Sequence, residues 1–157
     1  MAYPYKKMTS QDCDYIRSVT APDRVWVGEE IASEYYRDEM PEYGVYQPDL
    51  YVEVVNKEEV SAIMAYAYKE NIPVVCRGAG TGLAGGATCK YGGIMLSIMR
   101  MNKIFPIDRK NQTITAQPGA LLIDIQAAAA AGGLFYRRIR GKRLHPLAVM
   151  SLQMPAV

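Results

Sequence analysis

The stretch Ile72-Pro-Val-Val-Cys-Arg-Gly-Ala-Gly-Thr-Gly-Leu-Ala-Gly-Gly-Ala87 decides how this chain is read. Its apolar start, Ile72 to Cys76, predicts a short buried strand, with Cys76 as a small core residue. Arg77 then opens a loop in which five of the nine residues from Gly78 to Gly86 are glycine. Glycine loses more backbone freedom on folding than any other residue, so this density implies tight turns or close backbone approach to a ligand. A strand running into such a loop presents bare N–H groups in a concave nest, which suits phosphate oxygens. Arg77 adds charge and Thr81 a hydroxyl. A mobile surface loop is the plainer alternative, but such loops are polar, and this one carries Leu83, Ala84 and Ala87.

Two familiar phosphate loops are excluded. A Walker A loop ends in Gly-Lys-Ser/Thr, and no lysine follows these glycines until Lys90. Gly80, Gly82 and Gly85 satisfy G-x-G-x-x-G, but a helix should begin inside that motif. Here Gly85-Gly86 and Gly92-Gly93 bracket only Ala-Thr-Cys-Lys-Tyr, and a second strand-like run, Ile94 to Ile98, follows at once. A diphosphate would be held by loop backbone, without a helix dipole.

Upstream, Thr9 or Ser10 caps a predicted helix through Ile16, with Asp12 and Asp14 in its first turn. Arg24 to Gly28 reads as a short strand or an extended arm, Glu29 to Tyr36 as one or two helical turns, and the tyrosine-rich Met40 to Asp49 as irregular. Those tyrosines serve packing, or lie over a ligand; packing is favoured. Leu50 to Val55 reads as a strand. Asn56 then caps a helix whose Val60, Ile63, Met64 and Ala67 form a buried face, and Asn71 ends it. This strand–helix–strand unit has the length that pairs strands in parallel, and ligand loops of such sheets lie at the carboxyl ends of strands. Downstream, Ile104–Ile107 and Thr113–Ala116 predict a β-hairpin around Asp108-Arg109-Lys110-Asn111. Pro118-Gly119 leads into a helix over Ala120 to Ala131, with Leu121, Leu122, Ile125 and Ala128 or Ala129 as its buried stripe and Gly132-Gly133 as its end. No internal repeat or linker is visible, so one α+β unit is expected.

Arg77-Gly-Ala-Gly-Thr-Gly-Leu-Ala-Gly-Gly-Ala87 closely resembles the pyrophosphate loop of the FAD-linked oxidases with a vanillyl-alcohol-oxidase (PCMH) type flavin domain, above all the glycolate oxidase D-subunit and D-lactate dehydrogenase branch. Further segments fit in order: Pro48-Asp49 with Val54-Val55, Glu58-Glu59-Val60, Met99-Arg100-Met101-Asn102-Lys103-Ile104, Gln117-Pro118-Gly119 and Gly133-Leu134-Phe135-Tyr136. The resemblance runs from about Arg24 to Tyr136. It implies the N-terminal part of a PCMH-type FAD-binding domain of α+β class: a small parallel strand–helix–strand sheet plus β-hairpin and helices. Residues 1–47 are then an N-terminal extension packing on the flavin domain, 48–136 the incomplete domain itself, and 137–157 an aberrant tail.

The same resemblance assigns cofactor contacts to Arg77, Gly78, Ala79, Gly80, Thr81, Gly82, Leu83, Ala84, Gly85 and Gly86, and to Pro118 and Gly119. A plain turn is an equal reading of that last pair. Some relatives hold FAD covalently through a histidine beside the loop. Here Ala87 follows Gly85-Gly86 and the sole histidine is His145, so noncovalent FAD is implied. A small 2-hydroxy acid is the implied substrate, giving up a hydride to the flavin. Substrate and catalytic residues belong to a C-terminal domain, and an electron-transferring partner protein is expected only at the level of the family. The competing readings are a stand-alone nucleotide- or anion-binding module without catalysis, and a chain cut inside its domain that does not fold stably.

At 157 residues, half of them hydrophobic, the chain suffices for one ordinary domain with a core. A formal net charge of +2 points to no nucleic acid. Cys13, Cys76 and Cys89 have neither zinc nor disulfide spacing, and no carboxylate pair, Ser/His/Asp set or metal cluster suggests an independent active site. With no signal-like apolar run and no segment of spanning length, a cytoplasmic protein without a membrane span is expected. After Tyr136 the resemblance stops, and Arg137 to Val157 opens with the basic run Arg-Arg-Ile-Arg-Gly-Lys-Arg. A nucleic-acid or anionic-lipid tail is one reading. The favoured reading is a lost base just after Tyr136. In the shifted frame, Arg137–Lys142, Pro146–Met150 and Gln153–Val157 can hide Pro-Asp-Pro-Gly-Glu, Ile-Gly-Gly-Asn and Asn-Ala-Gly-Gly, three patterns of the family at family spacing.

Overall fold

The computed structural model describes residues 5–136, so the tail from Arg137 and its frameshift reading lie outside the described residues. The chain divides into two compact units, Met1–Arg100 and Met101–Val157. The first contains α1 (Ser10–Val19), β1 (Val25–Val27), β2 (Leu50–Glu53), α2 (Lys57–Glu70), β3 (Val74–Arg77) and β4 (Ile94–Ser97), with single 3-10 turns between β1 and β2.

The four strands form one mixed sheet in the order β1-β2-β4-β3. β1 runs antiparallel to β2, and β2 and β3 are each parallel to β4. The strand–helix–strand unit is therefore parallel as expected, but β4 lies between its two strands. Burial explains the insertion. Every residue of Ile94–Ser97 is buried, whereas β3 has a half-buried Val74 and Val75 and an exposed Cys76. The more completely buried strand takes the centre, and β3 becomes an edge. Cys76 is accordingly not a core residue. Period-2 alternation puts Leu50, Val52, Ile94 and Leu96 on one face, all buried, and Tyr51 and Met95 on the other. That second face carries a core of Ile31, Tyr51, Cys89 and Met95, flanked by Trp26, Tyr35, Tyr36 and Val75.

α1 begins at the expected cap, Thr9, and extends to Val19, a turn beyond Ile16, because the backbone N–H and the hydroxyl of Thr20 both donate to the Ile16 carbonyl. Asp12 does more than face the helix dipole. It is buried and accepts from Lys6 Nζ (2.8 Å), Tyr66 OH (2.6 Å), and both the backbone N–H and the hydroxyl of Thr9 (2.7 Å each). Lys6 also reaches Glu70 at 2.8 Å, and Tyr15 stacks on Tyr66 with ring centroids 4.0 Å apart, so α1 is stitched to α2. Burial works against the Asp12 charge, but the bonds from Lys6, Tyr66 and Thr9 outweigh it and hold its pKa well below the carboxylate range.

α2 is capped by the Asn56 side chain and closes on Asn71 in the left-handed conformation, φ 55°. Ile63 and Ala67 are fully buried, but Met64 is 47% exposed and Val60 only half-buried. Glu59 takes the buried place instead. Its carboxylate accepts both arms of the Arg24 guanidinium at 2.9 Å and the Val55 N–H at 3.0 Å, and Arg24 holds its pKa down against the cost of burial. A first-turn acid thus faces inward because a half-buried arginine meets it bidentately.

In the second unit the hairpin is reduced to two antiparallel bridges, Ile104 with Ala116 and Asp108 with Thr113. Four residue steps on the first arm, Ile104 to Asp108, face three on the second, Thr113 to Ala116, and the extra residue shifts the register and interrupts the ladder between the bridges. α3 (Leu122–Ala131) begins two residues later than expected, since Ala120 closes a turn on the Gln117 carbonyl. Ile125 and Ala129 are its buried positions, and Gly133, φ 72°, ends it.

Asp12→Ala is expected to cost about 2–3 kcal/mol at pH 7, from the lost cap and the charge-assisted bonds, read from urea unfolding midpoints. Asp12 and Glu59 have folded pKa values below the unfolded reference of about 4. Groups depressed on folding stabilise above that reference and lose their contribution as pH falls through the folded values. The chain should lose stability progressively below about pH 4, and Asp12→Asn should show a shallower acid limb. Identical acid limbs in the two chains would refute this assignment.

Candidate functional site

The loop of Gly78 to Gly93 leaves the carboxyl end of β3 and returns to the amino end of β4 with no helix between them. Its far end is pinned by Asp49, whose carboxylate accepts from Gly93 N at 2.8 Å, while the Gly93 carbonyl accepts from Asp49 N and Leu50 N. Gly92 and Gly93 have φ of 70° and 79°, and a Cβ on Gly93 would strike the Pro73 carbonyl, so only glycine closes the loop here. Cys89 drops from the loop into the core, where burial pushes its thiol up to about 12, far from any nucleophilic role.

At the near end Arg77 does not offer its charge to a phosphate, as its sequence position suggests. Its side chain is 7% exposed, and Nη1 donates to the Arg37 carbonyl (3.0 Å) and the Ala87 carbonyl (3.1 Å). Nη2 donates to the Glu34 carbonyl at 3.2 Å, and the guanidinium lies over the Tyr35 ring, 5.5 Å from its centroid. Burial lowers its pKa, and the nearby Asp38 carboxylate counters that. Arg77 therefore clips residues 34–37 and the loop together from beneath. Gly80, φ 70°, must be glycine because a Cβ there would run into the guanidinium.

The upstream segment that sequence patterning leaves irregular lies along the same loop. Glu39 N donates to the Gly82 carbonyl at 3.2 Å, and a Cβ on Gly85 would strike the Tyr43 ring. Tyr35 stacks on Tyr51, centroids 4.2 Å apart, and within the 40–49 segment Tyr43 meets Tyr46 edge-on at 6.2 Å and holds Lys90 over its ring. The Thr88 hydroxyl donates to the Gly85 carbonyl at 2.6 Å. Asp38 was not a sequence candidate. It is 7% exposed; Oδ1 accepts from Met40 N at 2.9 Å, and Oδ2 is buried with no partner among the described residues. A lone acid in an irregular segment has no periodicity to announce it.

The outer side of the loop is open. Gly82, Leu83, Ala84 and Gly86 are exposed, Leu83 at 64%, and Ala79 and Thr81 are half-buried. A Cβ on Gly86 would meet nothing. Among the described residues, none accepts a hydrogen bond from the backbone N–H of Gly78, Gly80, Gly82, Gly85 or Gly86. Unengaged donors on a clipped backbone, with open space at Gly86 where a side chain would stand, fit a dinucleotide diphosphate. No group of His, Cys, Asp and Glu that could hold a metal occurs among the described residues. No helix there is long and apolar enough to cross a membrane. In the second unit, Gly119 donates its N–H to the Met101 carbonyl and Gln117 donates to the Lys103 carbonyl. The Pro118-Gly119 turn is thus internally satisfied at those N–H groups.

Residues 48–141 match the FAD binding domain family. A D-lactate dehydrogenase of Anaerostipes hadrus is 40% identical over 134 residues, 85% of this chain and 28% of that protein. The glycolate oxidase subunit GlcD of Bacillus subtilis is 38% identical over 102 residues, 65% of this chain and 22% of that protein. Among solved structures, an alkyldihydroxyacetonephosphate synthase superposes with a TM-score of 0.72 at 18% identity, over 85% of this chain and 27% of that one. A p-cresol methylhydroxylase superposes with a TM-score of 0.69 at 20% identity, over 85% and 28%. The chain spans about a quarter of the length of these relatives. Its mixed α+β architecture is that of the PCMH-type flavin domain, and its cofactor is FAD. The chain belongs to the FAD binding domain family.

Proposed function

We propose that this chain is the FAD-binding N-terminal portion of a flavin-dependent 2-hydroxyacid dehydrogenase or oxidase acting on D-lactate or glycolate. The observation that carries the reading is the clipped glycine loop, with its unengaged N–H groups and open outer face, in a chain 40% identical to a D-lactate dehydrogenase. In this reading the backbone of Gly78 to Gly86 holds the FAD diphosphate, and Arg77 and Asp49 hold the loop in shape from either end. Pro118 and Gly119 are a second cofactor contact in this reading, a turn without bulky side chains where backbone can approach a ligand. Attachment is noncovalent, since Ala87 stands beside the loop and no histidine occurs among the described residues.

Bound FAD supplies a two-electron acceptor for a hydride from the carbon bearing the substrate hydroxyl. The residues that bind the hydroxy acid and remove its proton lie in the part of the relatives that this chain does not span, as does the contact with any electron-accepting protein. The domain proper comprises residues 48–136, with 1–47 as an extension packed on it.

The structure selects the informative variants. Gly80→Val would collide with Arg77 and conflate folding with binding, whereas Gly86→Val places its side chain in open space. Gly86→Val is expected to keep the wild-type unfolding midpoint while losing FAD binding at least tenfold in a fluorescence titration. Unchanged affinity would move the diphosphate off this loop. Acid precipitation of the FAD-loaded chain should leave the flavin in the supernatant; flavin pelleting with the protein would contradict noncovalent attachment. The 157-residue chain alone should not turn over glycolate or D-lactate with an artificial acceptor, and steady turnover would show that it carries its own catalytic residues.

A further inference from the structure

Asp38 presents an unusual combination of burial and incomplete bonding. The residue is 7% exposed, one carboxylate oxygen is satisfied by Met40 N, and Oδ2 has no partner among the described residues. Buried carboxylate oxygens are costly to leave unpaired, so one that persists calls for a partner supplied from outside the chain. Its location limits what that partner is. Oδ2 lies 3.5 Å from the position a Gly82 Cβ would occupy, at the middle of the glycine loop. Gly82 lies against the oxygen and its carbonyl accepts from the Glu39 N–H, so the contact inferred below requires the Gly82 peptide to turn aside on binding.

An ionised carboxylate only accepts hydrogen bonds. It repels a diphosphate, and the donors of a dinucleotide nearest the diphosphate are the sugar hydroxyls that flank it. We infer that Asp38 binds the cofactor, with Oδ2 accepting a hydrogen bond from a sugar hydroxyl next to the diphosphate, either of the ribityl chain or of the adenosine ribose. This rests on the reading that the diphosphate sits on Gly78 to Gly86. It makes residues 34–43 a working wall of the site, where loop geometry alone would make them packing.

The test is the affinity of the full chain for FAD and for ADP, with Asp38→Asn and Asp38→Ala, alongside the unfolding midpoints of the cofactor-free proteins. Asp38→Asn keeps the acceptor for Met40 N and removes the charge. It should weaken FAD binding about tenfold or more, as expected for a charge-assisted bond, while the cofactor-free midpoint stays level or rises. Asp38→Ala should weaken FAD at least as much. An equal loss for ADP assigns the hydroxyl to the ribose; a loss for FAD alone assigns it to the ribityl chain. FAD affinity within twofold of wild type in both variants overturns the inference. So does a lowered cofactor-free midpoint in Asp38→Asn, which would make the carboxylate a fold element. Failure of the wild-type chain to bind FAD overturns this inference together with the reading beneath it. Normal wild-type binding that the Asp38 variants share overturns this inference alone.

Discussion

The buried guanidinium of Arg77 is the constraint on which the first unit depends. It ends β3, reaches back to the carbonyls of Glu34 and Arg37, and holds the Ala87 carbonyl on the far side of the glycine loop. Charge-assisted bonds of this kind contribute about 1.5–3 kcal/mol each, and three of them with an aromatic face offset the desolvation that otherwise keeps arginine out of interiors. No neutral side chain offers a planar fork that can serve carbonyls from three directions. The glycines then follow from the arginine as much as from a ligand. Gly80 is small because the guanidinium occupies the space a Cβ would need, and Gly85 because Tyr43 does.

The same clip explains why the loop needs no helix. A Rossmann unit aims a helix N-terminus at the phosphates and takes its field from the dipole. Here Gly78 to Gly93 crosses between parallel strands as bare backbone, and its donors are oriented by the attachments beneath them. Rigid attachment matters because ordering a loop on binding would cost free energy for each residue fixed. A loop held at Arg77, Asp49 and Thr88 has already met most of that cost in folding.

Legibility from sequence divides along physical lines. The capped helices α1 and α2 were readable because Thr9 and Asn56 act on their own neighbours, and local chemistry is written locally. Strand order was not, since nothing in Ile94–Ser97 says that it will insert between β2 and β3; that follows from the burial of both its faces in the folded sheet. Cys76 was misread for the same reason, because an apolar run looks alike at an edge and at a centre. Inward-facing charges were the other blind spot. Arg77, Glu59 and Asp12 sit where solvent-facing or ligand-facing polar residues are equally plausible in sequence, and each faces inward because a partner 6 to 43 residues away meets it. The interrupted hairpin was not readable either, because a one-residue change of register between its two bridges leaves no mark on the alternation of either arm.

Asp38 and Arg77 raise the question of why the carboxylate does not simply pair with the arginine. The two are close enough for the charge of Asp38 to favour that of Arg77, yet Nη1 and Nη2 donate to backbone carbonyls and Oδ2 has no bond among the described residues. A direct ion pair would draw the guanidinium off at least one carbonyl and release either the 34–37 segment or the loop. A buried pair gains little net stability over well-bonded alternatives, because its desolvation cost rivals its attraction. Three carbonyls that would otherwise be orphaned outweigh one carboxylate oxygen, so the arginine is committed to shape. The acid keeps an acceptor facing Gly82, at the middle of the loop where the outer face is bare. In the proposed reading this divides the labour, with the cation structuring the loop and the loop N–H groups left to meet the anion. Such a site favours a ligand whose charge is spread over several oxygens rather than concentrated on one, which is the character of a diphosphate.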